Sequence, residues 1–160
     1  MPSIEDAKSL PRHRQLAAGA GILLFIVLFL PWLTIEFGGF SASTNGWNGI
    51  GTAAGIFTIA LVAWEVLRLL GKAPKTGISP DLITAGLAGL AALFSLIQFI
   101  RSLTQPDPTS PGFGAFLILI CAAGLGYAAW LSFQAGGGAE AINAAKDDAD
   151  PTPPPPSTDS

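Results

Sequence analysis

Gln15-Leu-Ala-Ala-Gly-Ala-Gly-Ile-Leu-Leu-Phe-Ile-Val-Leu-Phe-Leu-Pro-Trp-Leu-Thr-Ile35 is the stretch on which the architecture turns, because it runs for 21 residues without a charge. Wound as a helix at 1.5 Å per residue, it covers roughly 30 Å of hydrocarbon. It therefore predicts a first membrane span over about 15–35. The basic flank Arg12-His13-Arg14 is also compatible with a signal peptide. The run is longer than a usual signal core, however, and the small residues Ser41-Ala42-Ser43 lie too far beyond it for cleavage, so the reading is an uncleaved helix. Pro31-Trp32 then closes the last turn with an indole at headgroup level.

Working outward, residues 34–48 read as a short irregular loop rich in Gly, Ser and Asn, ending at a second interfacial Trp, Trp47. A second span follows over about 49–70, interrupted near its far end by Glu65 and Arg68, and 71–77 is a polar turn. Ser79-Pro80-Asp81 is a helix start, with Ser as N-cap, Pro in the first turn and an acid beside it. It opens a third span over about 80–101. Three prolines within 105–111 cannot continue a helix, and a fourth span is predicted over about 112–133. The chain thus divides into a basic cytoplasmic segment (1–14), a membrane domain (15–135) and a tail (136–160). The acidic, Pro-rich end of that tail cannot bury enough apolar surface to order. The fold class implied is an all-α transmembrane four-helix bundle with both termini in the cytoplasm and a disordered C-tail.

Composition supports a membrane chain. Half of the 160 residues are apolar and 12% are charged, about half the charged share of a soluble domain. One Cys and one His exclude a disulfide framework and a structural zinc site. The chain shows no phosphate loop, zinc-protease, nucleophile-elbow or paired-carboxylate motif and no basic nucleic-acid face, so the reading assigns no enzyme activity, no cofactor, no metal and no nucleic-acid partner. The expected surroundings are a lipid bilayer and a membrane protein partner or further copies of the chain.

Orientation follows from Lys and Arg. Lys8, Arg12, Arg14, Arg68, Lys72, Lys75 and Lys146 fall on one side of the predicted membrane and Arg101 alone on the other, which places both termini in the cytoplasm of a bacterial inner membrane. Trp32, Phe37, Phe40 and Trp47 would then mark the outer boundary, and Trp64, Tyr127, Trp130 and Phe133 the inner one.

In lipid, helices associate through small residues and through polar groups that need partners. At alternating spacings of four and three, Gly51, Gly55, Thr58 and Glu65 share a face of the second span. Thr84, Ala88, Ala91, Ser95 and Gln98 share one on the third, and Cys121 and Gly124 mark a weaker one on the fourth. The first span carries little of this pattern and is expected to show more of itself to lipid.

Glu65 is the residue to weigh. About five residues inside its helix end, an ionised carboxylate costs several kcal/mol unless partnered. An antiparallel neighbour brings Thr84 to its depth and Asp81 to that of Arg68. Two readings stand side by side: a proton- or cation-responsive carboxylate, and a Glu65, Arg68, Asp81 and Thr84 cluster that fixes the hairpin between spans two and three. Cys121 reads as a packing residue, Glu36 as a solvated carboxylate, His13 as a contact to anionic lipid, and the prolines of 151–156 as an extended docking segment or a solvated tail.

Leu30-Pro31-Trp32 at the end of the first span, Asn45-Gly46-Trp47-Asn48-Gly49 at the entry to the second, the Gly/Ala-rich helices and the acidic Pro-rich tail resemble small, uncharacterised four-span membrane proteins of high-GC Gram-positive, actinobacterial type. The resemblance implies a multi-pass protein and no activity. The function expected is that of a non-enzymatic structural or accessory subunit in a membrane complex or homo-oligomer. The alternative is a small oligomeric transporter or channel with a responsive Glu65.

Overall fold

The apolar run from Gln15 does not continue as one helix. In the computed structural model, which describes residues 10–74, 77–106 and 109–149, α1 spans Arg12–Val27 and stops there. Leu28–Leu30 turn, and the chain enters a strand, β1 (Pro31–Phe37). The cause is Pro31. It has no N–H for the Val27 carbonyl four residues back, and its ring disfavours helical backbone at Leu30. That carbonyl instead accepts Leu30 N–H at 3.1 Å and the Trp32 indole Nε1–H at 2.9 Å.

β1 pairs antiparallel with β2 (Phe40–Asn45) through Gly38-Gly39, whose φ values of +56° and +87° are those a two-residue type I′ connection requires. A register shift between Pro31 and Leu33 frees Trp32 from the ladder, and the ring turns into the helical body. After α2 (Ile50–Leu69) and α3 (Pro80–Leu103), a short β3 (Thr109–Pro111) adds to the far side of β1, giving the order β2-β1-β3. Helices α4 (Phe113–Ala135) and α5 (Gly138–Ala149) complete the described chain.

Two expectations are corrected here. The protein is not an all-α bundle, because a three-stranded antiparallel sheet takes the end of the predicted first span, 31–35, and parts of the segments read as irregular. Nor are there four candidate spans: among the described residues three helices, α2, α3 and α4, are long and apolar enough to cross a membrane. At 16 residues α1 covers about 24 Å, short of the roughly 20 residues a crossing requires. A further 12-residue helix, α5, lies within the 136–160 segment, whose Pro-rich end at 150–160 is outside the described residues.

The helices are neighbours in the order α1, α2, α3, α4, with α4 returning against α1. The shared core is Ala17, Leu24 and Leu28 from α1 and its end, Leu61 from α2, Ala88 and Ala91 from α3, and Ile118, Cys121, Leu125 and Ala128 from α4. The most extensive packing is that of α3 against α4 and α2, as expected for the predicted second to fourth spans, and α1 has the largest exposed share of the four helices. α1 lies between α2 and α4, which are themselves diagonal. The small residues Ala17, Ala20 and Gly21 allow this close approach, Gly21 facing Val62 and Leu61.

Trp32 plugs the sheet end of this body. It is 1% exposed and lies over Gly46 and Gly114, where an added Cβ would collide with its ring. It is a core residue, not the headgroup marker the sequence predicts. The Gly112 N–H donates to the Trp32 carbonyl at 2.6 Å and the Gly46 N–H to the Leu28 carbonyl at 2.8 Å, so sheet and helices share hydrogen bonds.

Candidate functional site: a charged cluster joining three helices

At the opposite end of the body, three helices contribute charge to one cluster. Pro11 precedes the first turn of α1, and its carbonyl accepts the N–H groups of Arg14 and Gln15, which directs Arg14 inward at the start of the helix. Glu65 lies one turn from the end of α2 with Arg68 three residues later, on the same face. Pro80 starts α3 and sets Asp81 in its first turn, with Thr84 one turn on. Ser79 holds the N-cap position, although its side chain makes no capping bond; its carbonyl accepts Leu82 and Ile83 N–H.

Glu65 is 2% exposed, and both of its oxygens are occupied. Oε2 accepts Arg14 Nε–H at 2.8 Å; Oε1 accepts the Thr84 hydroxyl at 2.5 Å and Arg68 Nη1–H at 3.3 Å. Arg68 also donates to Thr84 Oγ1 at 3.0 Å and, through Nη2, to Asp81 Oδ1 at 2.8 Å. Asp81 Oδ1 further meets His13 Nε2 at 3.3 Å, which ties α1 to α3. Two carboxylates face two guanidinium groups. This is how a buried carboxylate persists: Glu65 pairs with Arg14 and Arg68 and accepts a further bond from the Thr84 hydroxyl.

Glu65, Arg68, Asp81 and Thr84 are thus brought together. Arg14 and His13 complete the cluster and are absent from the sequence-level site. Arg14 opens α1 at the depth of Glu65, but the lipid-facing role predicted for the first helix gave no reason to bring the two together. His13 meets Asp81 rather than standing free for lipid.

The predicted packing face is divided among different neighbours. Thr58, Ala88, Ala91 and Ser95 are fully buried. Gly51 and Gly55 admit the loop before α2, not a helix: an added Cβ would collide with the Gly46 carbonyl oxygen and with the Trp47 ring. Trp47 in turn lies against Phe25 and Phe29 of α1 and its end. Gln98 is half-buried and donates to the Asn48 carbonyl at 3.4 Å; Gly124 faces Ala20 of α1. Cys121 is buried in the core, and Glu36 is exposed on β1. Among the described residues no group of three His, Cys, Asp or Glu is placed to hold a metal ion.

Chemically, the cluster orients helices. Both Glu65 oxygens accept from protein donors, Arg14 of α1, Arg68 of α2 and Thr84 of α3. Compared with known proteins, the chain matches no family model, and no curated protein and no solved structure is significantly similar to it.

Proposed function

We propose that the chain is a non-enzymatic integral membrane protein, a structural or accessory subunit that packs in a membrane complex or with copies of itself, without cofactor or nucleic acid. The observation that carries this reading is the engagement of Glu65. Its oxygens accept hydrogen bonds from Arg14, Arg68 and Thr84, so its charge is committed to holding α1, α2 and α3 together. Charged side chains inside a membrane bundle face its interior and pair with one another, as Glu65 does with Arg14 and Arg68.

The surface offered to a partner lies along α3 and α4. Gly86 and Gly126 have open space where a Cβ would stand, unlike Gly51, Gly55 and Gly114. With Gly89 they line a groove of about 530 Å³ between the two helices. Glycine weakens a helix, and among the described residues no neighbour fills the space beside Gly86 and Gly126. A partner helix seated in the groove gives these glycines a role.

The protein belongs, on this reading, in the cell membrane. The end bearing Arg12, Arg14, Arg68 and Lys72 faces the cytoplasm, in line with the preference of Lys and Arg for that side. The start of α1 and the end of α4 both lie at this end, where Arg14 meets Glu65 and Gly136 meets Leu82.

Co-purification of the tagged protein from its native membranes in mild detergent, beside a version truncated after Gln134, tests the proposal. A stoichiometric membrane partner or a discrete homo-oligomer is the expected result. Recovery of monomer alone contradicts it.

A further inference from the structure

The sheet has two unlike faces. Directly paired residues point to the same side of a sheet and neighbours along a strand to opposite sides. The register Phe37↔Phe40, Ile35↔Ala42, Leu33↔Thr44 and Ile35↔Thr109 therefore sets Leu33, Ile35, Phe37, Phe40 and Ala42 on one face, with Thr44 and Thr109 among them. Glu36↔Ser41, Thr34↔Ser43 and Thr34↔Ser110 set Glu36, Thr34, Ser41, Ser43 and Ser110 on the other. The apolar face carries two of the most exposed large side chains of the described protein: Phe37 is 78% and Phe40 83% exposed. The single carboxylate of the three strands, Glu36, lies on the polar face.

The sheet is also held close to the helices. Three residues join α1 to β1, four join β2 to α2, and Gly112 alone separates β3 from α4. Exposed apolar side chains lie on α1 and the turn after it, Ile22, Ile26 and Phe29, just before the strand on which Ile35 and Phe37 are exposed. Such side chains face lipid in a chain whose α2, α3 and α4 cross the membrane.

We propose that the three-stranded sheet rests on the bilayer surface at the end opposite the charged cluster, with Phe37 and Phe40 sunk among headgroups and upper acyl chains and the Glu36 face turned to water. The occupant of the apolar face is lipid. Aromatic rings favour that depth, and an amphipathic element held beside spanning helices gains by laying its apolar side there. The inference rests on the spanning of α2–α4 and is independent of any partner subunit.

Spin labels at single cysteines, in a Cys121→Ala background reconstituted in phosphatidylcholine and phosphatidylglycerol bilayers, test it by power-saturation measurements with oxygen and a water-soluble nickel chelate. Phe40→Cys, Ser41→Cys and Ile56→Cys are all exposed positions, so the labels leave the fold intact. The expected pattern is oxygen-dominated relaxation at 40 and nickel-dominated relaxation at 41, with 56, on the outer side of α2, oxygen-dominated as the control. Nickel-dominated relaxation at 40, or shielding of 40 from both reagents by a covering protein, overturns the inference while 56 still reports lipid. Nickel-dominated relaxation at 56 overturns the spanning of α2 itself.

Discussion

Arg14 and Glu65 stand 51 positions apart in sequence and meet at 2.8 Å, each side chain nearly removed from solvent. The pair binds α1, which is too short to cross a membrane on its own terms, to α2, which is not. A further Arg14 nitrogen, Nη2, is buried with no hydrogen-bond partner among the described residues, so Glu65 is the main compensation for that charge.

Removing Glu65 leaves Arg14 buried without its counter-charge, and removing Arg14 leaves Glu65 with only Arg68 and Thr84. Arg14→Leu and Glu65→Leu are each expected to destabilise the folded protein by about 3–5 kcal/mol. The double variant is expected to recover part of the loss, with a coupling of about 1–3 kcal/mol. Reversible unfolding in mixed micelles, measured as a double-mutant cycle, checks this. Additive losses would show that the two groups do not act together.

Trp32 supplies a second test at the other end. Trp32→Ala removes a fully buried ring and the donor to the Val27 carbonyl, a loss of about 3–5 kcal/mol. Trp32→Phe keeps most of the volume and loses mainly the hydrogen bond, about 1 kcal/mol. Thermal melts of the two variants should rank in that order. Equal and small losses would place Trp32 at the membrane boundary after all.

The glycines divide into two classes by what a Cβ would meet. Gly51→Ala drives a methyl into the Gly46 carbonyl and is expected to destabilise, whereas Gly86→Ala enters open space and is expected to stabilise by up to about 1 kcal/mol through helix propensity. Bulkier changes at the open positions, Gly86→Ile with Gly126→Ile, should leave the melting temperature nearly unchanged yet reduce recovery of a partner in co-purification. Full partner recovery in that variant would remove the α3/α4 groove from the proposed interface.

What the sequence discloses and what it hides have physical causes. At 20, 24 and 23 residues α2, α3 and α4 are long enough to cross the hydrocarbon, and length and mean hydropathy alone mark them. The Glu65, Arg68, Asp81 and Thr84 cluster was also legible, because helical periodicity and an antiparallel connection set those four at matching depth. The run from Gln15 misled because hydropathy counts Leu28–Ile35 as well as Ala17–Val27, whereas Pro31 divides them by a missing N–H. The hairpin was obscured by its composition: Gly38-Gly39 between β-prone residues is a turn signal, but the alternation of Glu36 with Ile35 and Phe37 spans few residues. Arg14 and His13 join the cluster only through the packing of α1 between α2 and α4, which no local pattern encodes.

The most direct test of Glu65 as a fixed tie between helices is proton flux into liposomes containing the purified protein and an internal pH-sensitive dye, wild type beside Glu65→Gln, under an imposed pH gradient. The account predicts that wild-type protein raises flux no further than Glu65→Gln does, both remaining at the level of empty liposomes. A wild-type flux well above that level, lost in Glu65→Gln while the variant remains folded, would contradict it.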